Sequence, residues 1–121
     1  MIKAYYIMRE DLQMTQAKFG VQIGHGTDII WSVTSEHPTD NIMKWVEEFH
    51  RRKIVLKIST LEKLNNLKDY LTESRILFFD IIDNGLTEFN GKTLTGIVIP
   101  PYYEDEVLQR LSKWRRLQLW K

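Results

Sequence analysis

The sequence predicts an α/β fold built in layers around a mixed sheet. Two observations carry that expectation. Short runs rich in β-branched and aromatic residues alternate with longer stretches whose apolar residues recur every three or four positions, in the order β-α-α-β-α-β-β-α. One of the short runs, Ile54-Val55-Leu56, is apolar on both alternating sides between Lys53 and Lys57, as a strand covered on both faces must be. No internal repeat, low-complexity tract or linker breaks the order, and 121 residues are one domain's worth of chain.

Each element has its own signal. Residues 2–8 (IKAYYIM) read as the first strand, and 9–16 as a polar connection. From 17 to about 34 the period becomes helical, with Phe19, Ile23, Gly26, Ile30 and Val33 on one stripe. Pro38 separates this helix from a second, for which Thr39, Asp40 and Asn41 are candidate N-caps and Ile42, Trp45, Val46 and Phe49 the inward face. Residues 52–58 form the second strand. Ser59 or Thr60 then caps a third helix, whose Leu61, Leu64, Leu67 and Leu71 share one face. A third strand is expected over 75–82, followed by the turn signal Asp83-Asn84-Gly85, with Asn90-Gly91 a second turn. Residues 93–99 read as the fourth strand, closed by Pro100-Pro101. The last helix runs from 103 to about 115 with Val107, Leu108, Leu111 and Trp114 inward, and the apolar tail 117–120 can add a short edge strand.

Composition narrows the function classes. The chain has no cysteine, which excludes a disulfide framework, thiolate zinc sites and a cysteine nucleophile, and fits a reducing, cytoplasmic setting. No apolar run approaches the ~20 residues that span a bilayer. The start MIKAYY lacks the basic and apolar regions of a signal peptide. Lys and Arg total 17 against 16 Asp and Glu, a net charge of +1, which argues against extensive non-specific nucleic-acid binding. A local patch remains open at Arg51-Arg52-Lys53 or at Lys113, Arg115 and Arg116, though such clusters also serve as solvated helix ends or strand margins. Trp31, Trp45, Tyr102 and Tyr103 are core residues or stacking platforms. His25, His37 and His50 lack metal-ligand spacing, no Gly-rich phosphate loop is present, and neither metal nor cofactor is expected.

Three features could carry chemistry. The first helix contains Gly20, Gly24 and Gly26, each costing about 1 kcal/mol against Ala. Gly20, Gly24 and Thr27 lie on one side, which suits either tight helix packing or a closely approaching ligand. Lys18, Gln22 and His25 form a polar line beside the apolar stripe, a solvated face or one wall of a site. Asp83 follows the third strand, where α/β sheets bind ligands, and Thr87 lies close behind; an Asp there can equally cap its own turn.

The order of these residues resembles a known family. The segment REDLQMTQAKFGVQIGH, from Arg9 to His25, is similar to the N-terminal signature of the archaeal and eukaryotic type of peptidyl-tRNA hydrolase, roughly R-x-D-L-x-M-x-x-G-K-x-A-A-Q-x-x-H. Lys53-Ile54-Val55-Leu56-Lys57 resembles that family's second strand, Asp83-Asn84-Gly85-Leu86-Thr87-Glu88 its D-A-G-R-T-Q turn, 93–100 its last long strand and Leu117-Gln118-Leu119 its L-K-L ending. The resemblance implies a peptidyl-tRNA hydrolase type 2-like fold across 1–121, with a mixed four-stranded sheet flanked by helices, often assembled as a dimer or larger homo-oligomer. It implies metal-free cleavage of the ester between a peptide and the 3′ end of tRNA. Lys18, Asp83 and Thr87 match the catalytic positions, and Gln22, His25, Met14 and Asn84 fall beside them as substrate-binding candidates. A lysine ammonium can stabilise the oxyanion of ester cleavage, and a carboxylate can orient or deprotonate water. An unactivated hydroxyl is a poor nucleophile, so Thr87 is expected to position or relay rather than attack.

The departures concern the periphery. The family's basic entry loop is Gln13-Met14-Thr15-Gln16-Ala17 here; its turn Arg is Leu86 and its turn Gln is Glu88. Gly20 and Val21 replace two small Ala positions, and Ile99-Pro100-Pro101-Tyr102-Tyr103 replaces a Gly-rich stretch. Fewer cations face a phosphate backbone, which weakens RNA binding at physiological salt. An esterase of peptidyl-tRNA is therefore the first expectation. A non-catalytic relative that holds a small nucleotide in the same cleft, such as a cyclic nucleotide signal, is the second.

Overall fold

The computed structural model describes residues 1–36, 39–86, 89–111 and 117–121. Its elements run β1 (Ile2–Arg9), α1 (Gln16–Glu36), α2 (Asp40–Glu47), β2 (Lys53–Ile58), α3 (Leu61–Glu73), β3 (Phe79–Asp83), β4 (Thr93–Tyr103), α4 (Glu104–Leu111) and β5 (Gln118–Leu119). The sheet is mixed, in the order β3-β4-β1-β2-β5, and has five strands rather than four because the tail pairs antiparallel with β2 through Leu56↔Leu119. β1 lies at the centre, parallel to β2 and antiparallel to β4. The crossover that a parallel pair requires is made by α1 and α2.

Strand alternation divides the core into two layers. Tyr5 and Ile7 of β1 face Leu64, Leu67 and Leu71 of α3 and Val107 and Leu111 of α4. Ala4, Tyr6 and Met8 face Ile30 of α1 and Ile42 and Trp45 of α2. The helices begin at side-chain caps. Thr39 Oγ1 accepts from Ile42 N at 3.4 Å, and Thr60 Oγ1 accepts from Lys63 N at 3.2 Å. The apolar stripe of α1 meets the sheet through Gly26 and Ile30. A Cβ at Gly26 would stand 2.8 Å from Tyr6 Cε2, so this glycine sets how closely α1 lies on β1.

Several sequence expectations need correction. Residues 75–78 are not strand. Arg75 has φ 59° and Ile76 N donates to Leu71 O, so this segment closes α3 and tucks Ile76 into the core. β3 consequently starts at Phe79, and Asp83 is its last residue rather than the first of a turn. β4 does not stop at Pro100-Pro101. A register shift between Lys3↔Tyr102 and Tyr5↔Ile99 inserts an extra residue there, and a bulge accommodates the missing N–H groups. Tyr103 thus ends a strand instead of opening a helix. Leu108 is 51% exposed and Leu61 40%, so neither belongs to the inward face assigned to it. Trp45 is fully buried and donates to Arg52 O at 2.8 Å, which removes it as a stacking platform. Gly20 and Gly24 have open space beside them, so among the described residues no part of the chain packs closely on that side of α1; the tight packing occurs at Gly26. The capping role expected of Pro38's neighbourhood rests on Thr39, while His37 and Pro38 lie outside the described residues, as do Thr87, Lys113, Trp114, Arg115 and Arg116.

Candidate functional site

The carboxyl ends of β1 and β3 and the first turns of α1 meet at one place. Thr15 starts α1 by accepting from Lys18 N at 3.2 Å, which sets the phase of the helix. Lys18 and Gln22, one turn apart, then project towards the end of β3. Lys18 Nζ donates to Asp83 Oδ1 at 2.9 Å, and Gln22 Nε2 donates to the same oxygen at 3.0 Å. Gly85 N donates to Asp83 Oδ2 at 2.8 Å. Asp83 therefore shapes its own turn, as the capping reading expects, and binds α1 at once.

The network continues inward. Gln22 is fully buried, and its Oε1 accepts from Thr95 Oγ1 at 2.8 Å. A carboxylate only accepts, so the amide nitrogen must face Asp83 and its oxygen Thr95, whose one hydroxyl hydrogen lies between Gln22 Oε1 and Ile81 O (3.1 Å). Thr95 was not legible as a site residue. Between Ile81↔Gly96 and Ile82↔Leu94 the register skips Thr95, which is the bulged residue of β4. Leu94 and Ile97 both pack on the α3–α4 layer despite their odd spacing, whereas Thr95 turns its hydroxyl towards α1. The one available signal was Gly96, a glycine inside a strand, where a Cβ would stand 2.6 Å from Ile7 O.

Lys18 and Asp83 form the least exposed ion pair among the described residues, with side chains 9% and 7% accessible. The hydrogen bond from the Lys18 ammonium holds Asp83 below the usual carboxylate range. Burial pushes the other way, but the Gly85 amide, the Lys18 charge and the Gln22 amide add to the lowering. Taking both charges out of water is a poor route to stability. Phe89 borders the pair, with Lys18 Nζ 5.8 Å from the ring centroid. Alongside, Arg9 grips Asp11 through two bonds of 3.1 and 2.8 Å and donates to Leu94 O at 2.9 Å, tying the β1–α1 connection to β4.

Of the expected site residues, the structure brings together Lys18, Gln22 and Asp83. Met14 is half-buried against the α1–α2 layer. His25 and Asn84 are exposed, and among the described residues neither bonds to Asp83. Among the described residues no group of His, Asp and Glu could hold a metal ion. A separate apolar recess of about 180 Å³, lined by Val33, Ile42, Leu77, Ile99 and Pro101, shares no residue with the network.

These features define an α/β protein with a carboxylate–ammonium–amide site at the carboxyl end of its sheet. Comparison with known proteins carries this further. The family described as Peptidyl-tRNA hydrolase PTH2 matches residues 2–117. The chain is 32% identical to the peptidyl-tRNA hydrolase of Sulfurisphaera tokodaii, over 82% of this chain and 84% of that protein. It is 28% identical to the Methanopyrus kandleri enzyme (88% and 90% covered) and 26% identical to that of Thermoplasma acidophilum (97% and 100%). The chain belongs to the peptidyl-tRNA hydrolase family.

Proposed function

We propose that this protein hydrolyses the ester that joins a peptide to the 3′ end of tRNA. The observation that carries the reading is the convergence of Lys18 and Gln22 on a single oxygen of Asp83, from an element 61 residues or more away in sequence. Family membership supports the substrate class, since the relatives are named for this reaction.

The geometry suggests a division of labour. An ammonium has three donors, and Lys18 spends one on Asp83, leaving two for an oxyanion. Asp83 Oδ2 accepts from Gly85 and retains capacity for a water. Its lowered pKa makes it a weak base that stays ionised, so it orients the water more than it deprotonates it. The water oxygen adds to the ester carbonyl, and the negative charge collects on the carbonyl oxygen beside Lys18. The bond to the ribose 3′-oxygen then breaks. The leaving oxygen takes up a proton from the attacking water, giving a free peptide acid and a tRNA 3′-hydroxyl. Gln22 and Thr95 act as positioning residues that keep Asp83 aimed, and Thr87 is assigned to placing the water or the ribose. The same reading carries a cytoplasmic homo-oligomer with it.

The test is release of N-blocked amino acid from acylated tRNA. The wild type is expected to turn over, and Asp83→Ala to lose cleavage while its circular dichroism stays unchanged. A wild type that leaves the ester intact and instead retains an unaltered small nucleotide in stoichiometric amount, read by mass spectrometry after denaturation, would overturn the reading in favour of a sequestering module.

A further inference from the structure

The far end of α1 carries a second feature. Trp31 is 39% exposed and lies 6.1 Å, centroid to centroid, from the buried Trp45. The Arg51 guanidinium stands 5.6 Å over the Trp31 ring, and Lys53 Nζ stands 5.3 Å over the Trp45 ring. A ladder results, with two exposed cations anchored on two indoles. Lys3, Arg9, Lys18, Lys57 and Lys68 are each ion-paired with a carboxylate, whereas Arg51 and Lys53 have no such pair among the described residues. Glu47 and Glu48, the carboxylates nearest in sequence, bond neither of them among the described residues.

The physical difference matters. A carboxylate neutralises a cation and occupies its donors. A ring holds the cation in place but leaves its charge unneutralised: the Arg51 guanidinium keeps its in-plane N–H donors, and the Lys53 ammonium, which spends one donor on Arg51 O at 3.1 Å, keeps two. Ring-anchored Arg and Lys are thus pre-organised phosphate donors, and an exposed indole beside them offers a face to ribose or base. Arg52 adds a third exposed cation at the same turn. Trp31, the exposed ring of the ladder, lies on the helix that carries Lys18. Thirteen residues of helix separate Trp31 from Lys18, about 20 Å at 1.5 Å per residue. An RNA whose 3′ end enters the site must cross the surface beyond it.

We propose that the Trp31–Arg51–Lys53 ladder is an RNA contact that holds backbone phosphates of the tRNA acceptor arm, remote from the cleaved ester. It rests on the proposed activity and accounts for how a chain with a net charge of +1 and no basic entry loop grips its substrate. The test compares Arg51→Glu/Lys53→Glu with the charge-matched control Lys63→Glu/Arg110→Glu on the opposite layer, on both acylated tRNA and an N-blocked aminoacyl adenosine. The ladder variant should raise KM for tRNA about tenfold with kcat unchanged and flatten the salt dependence of kcat/KM by about 1 per lost phosphate contact. Cleavage of the adenosine ester should not change, which also shows that the variant folds. The milder Arg51→Gln/Lys53→Gln should show half or less of the effect. Equal KM and salt slope in wild type and ladder variant, or an equal change in the control, would overturn the ladder while leaving the activity standing. A wild type that cleaves neither ester would instead overturn the activity, and the ladder proposal with it.

Discussion

The two layers that cover the sheet are built from different chemistry. In the α3–α4 core cluster, Tyr5 alone carries a polar side-chain atom; its hydroxyl is buried without a partner and its pKa is pushed up to about 12, first by burial and then by Glu104 and Asp105. On the α1–α2 layer, the neighbouring Tyr6 has its hydroxyl 2.6 Å from Thr27 Oγ1, and the Gln22–Asp83–Thr95 network lies close by. The hydroxyl hydrogen of Thr27 goes to Ile23 O at 3.2 Å, so Tyr6 is the donor. One layer holds the fold together through area removed from water. The other spends part of its buried volume on satisfied polar groups, as a site must, since each unpaired group there would cost about 1–3 kcal/mol.

Substitutions in the two layers should therefore separate stability from activity. The largest effect is expected at Asp83→Asn, which keeps the shape and removes the charge. Cleavage should fall by about 10²–10⁴-fold, at a stability cost of about 1–3 kcal/mol for the Lys18 ammonium left without its counter-charge. Next, Leu67→Ala in the other layer should destabilise the fold by about 2–5 kcal/mol in urea unfolding, while kcat measured well below the transition stays at the wild-type value. A loss of kcat in Leu67→Ala at such temperatures would erase the distinction.

Smaller effects sharpen it. Thr95→Val removes the hydroxyl that orients Gln22 and should lower kcat about tenfold, whereas Thr95→Ser should restore it; a stability change without a kcat change would reduce Thr95 to packing. The pH profile gives a further check. Because Lys18 lowers the Asp83 pKa, the carboxylate remains ionised down through the ordinary Asp value of about 3.9. Any stability it contributes is present above that pH and lost only as pH falls further, so no acid limb of kcat/KM near pH 6 should vanish in Asp83→Asn. At the small end, Tyr6→Phe should cost about 1 kcal/mol, and Tyr5→Phe should cost nothing or stabilise slightly.

Much of this was legible in the sequence, for identifiable reasons. Leu64, Leu67 and Leu71, and the double-sided apolar run of β2, obey periods that depend only on local geometry. Lys18 and Gln22 stand one helical turn apart, so a shared wall followed from spacing, and Asp83 from its place at the end of a strand. Two of the failures share a cause. Thr95 and the continuation of β4 through Pro100-Pro101 both depend on bulges, which shift alternation by one residue and are settled by the partner strand. Arg75 at φ 59° similarly converted a strand-like apolar run into a helix stop. His25 continues the line of Lys18 and Gln22 yet ends exposed, because the end of β3 meets only the turn of α1 that carries Lys18 and Gln22.

The claim that Lys18 and Asp83 act as one unit on the ester is tested most directly by a double-substitution cycle in kcat. Lys18→Ala, Asp83→Ala and the combination are compared on acylated tRNA under single-turnover conditions. The account predicts that the double variant is no slower than the slower single one, as for groups that serve a single step. Losses that multiply across the two positions would mean independent roles and contradict it.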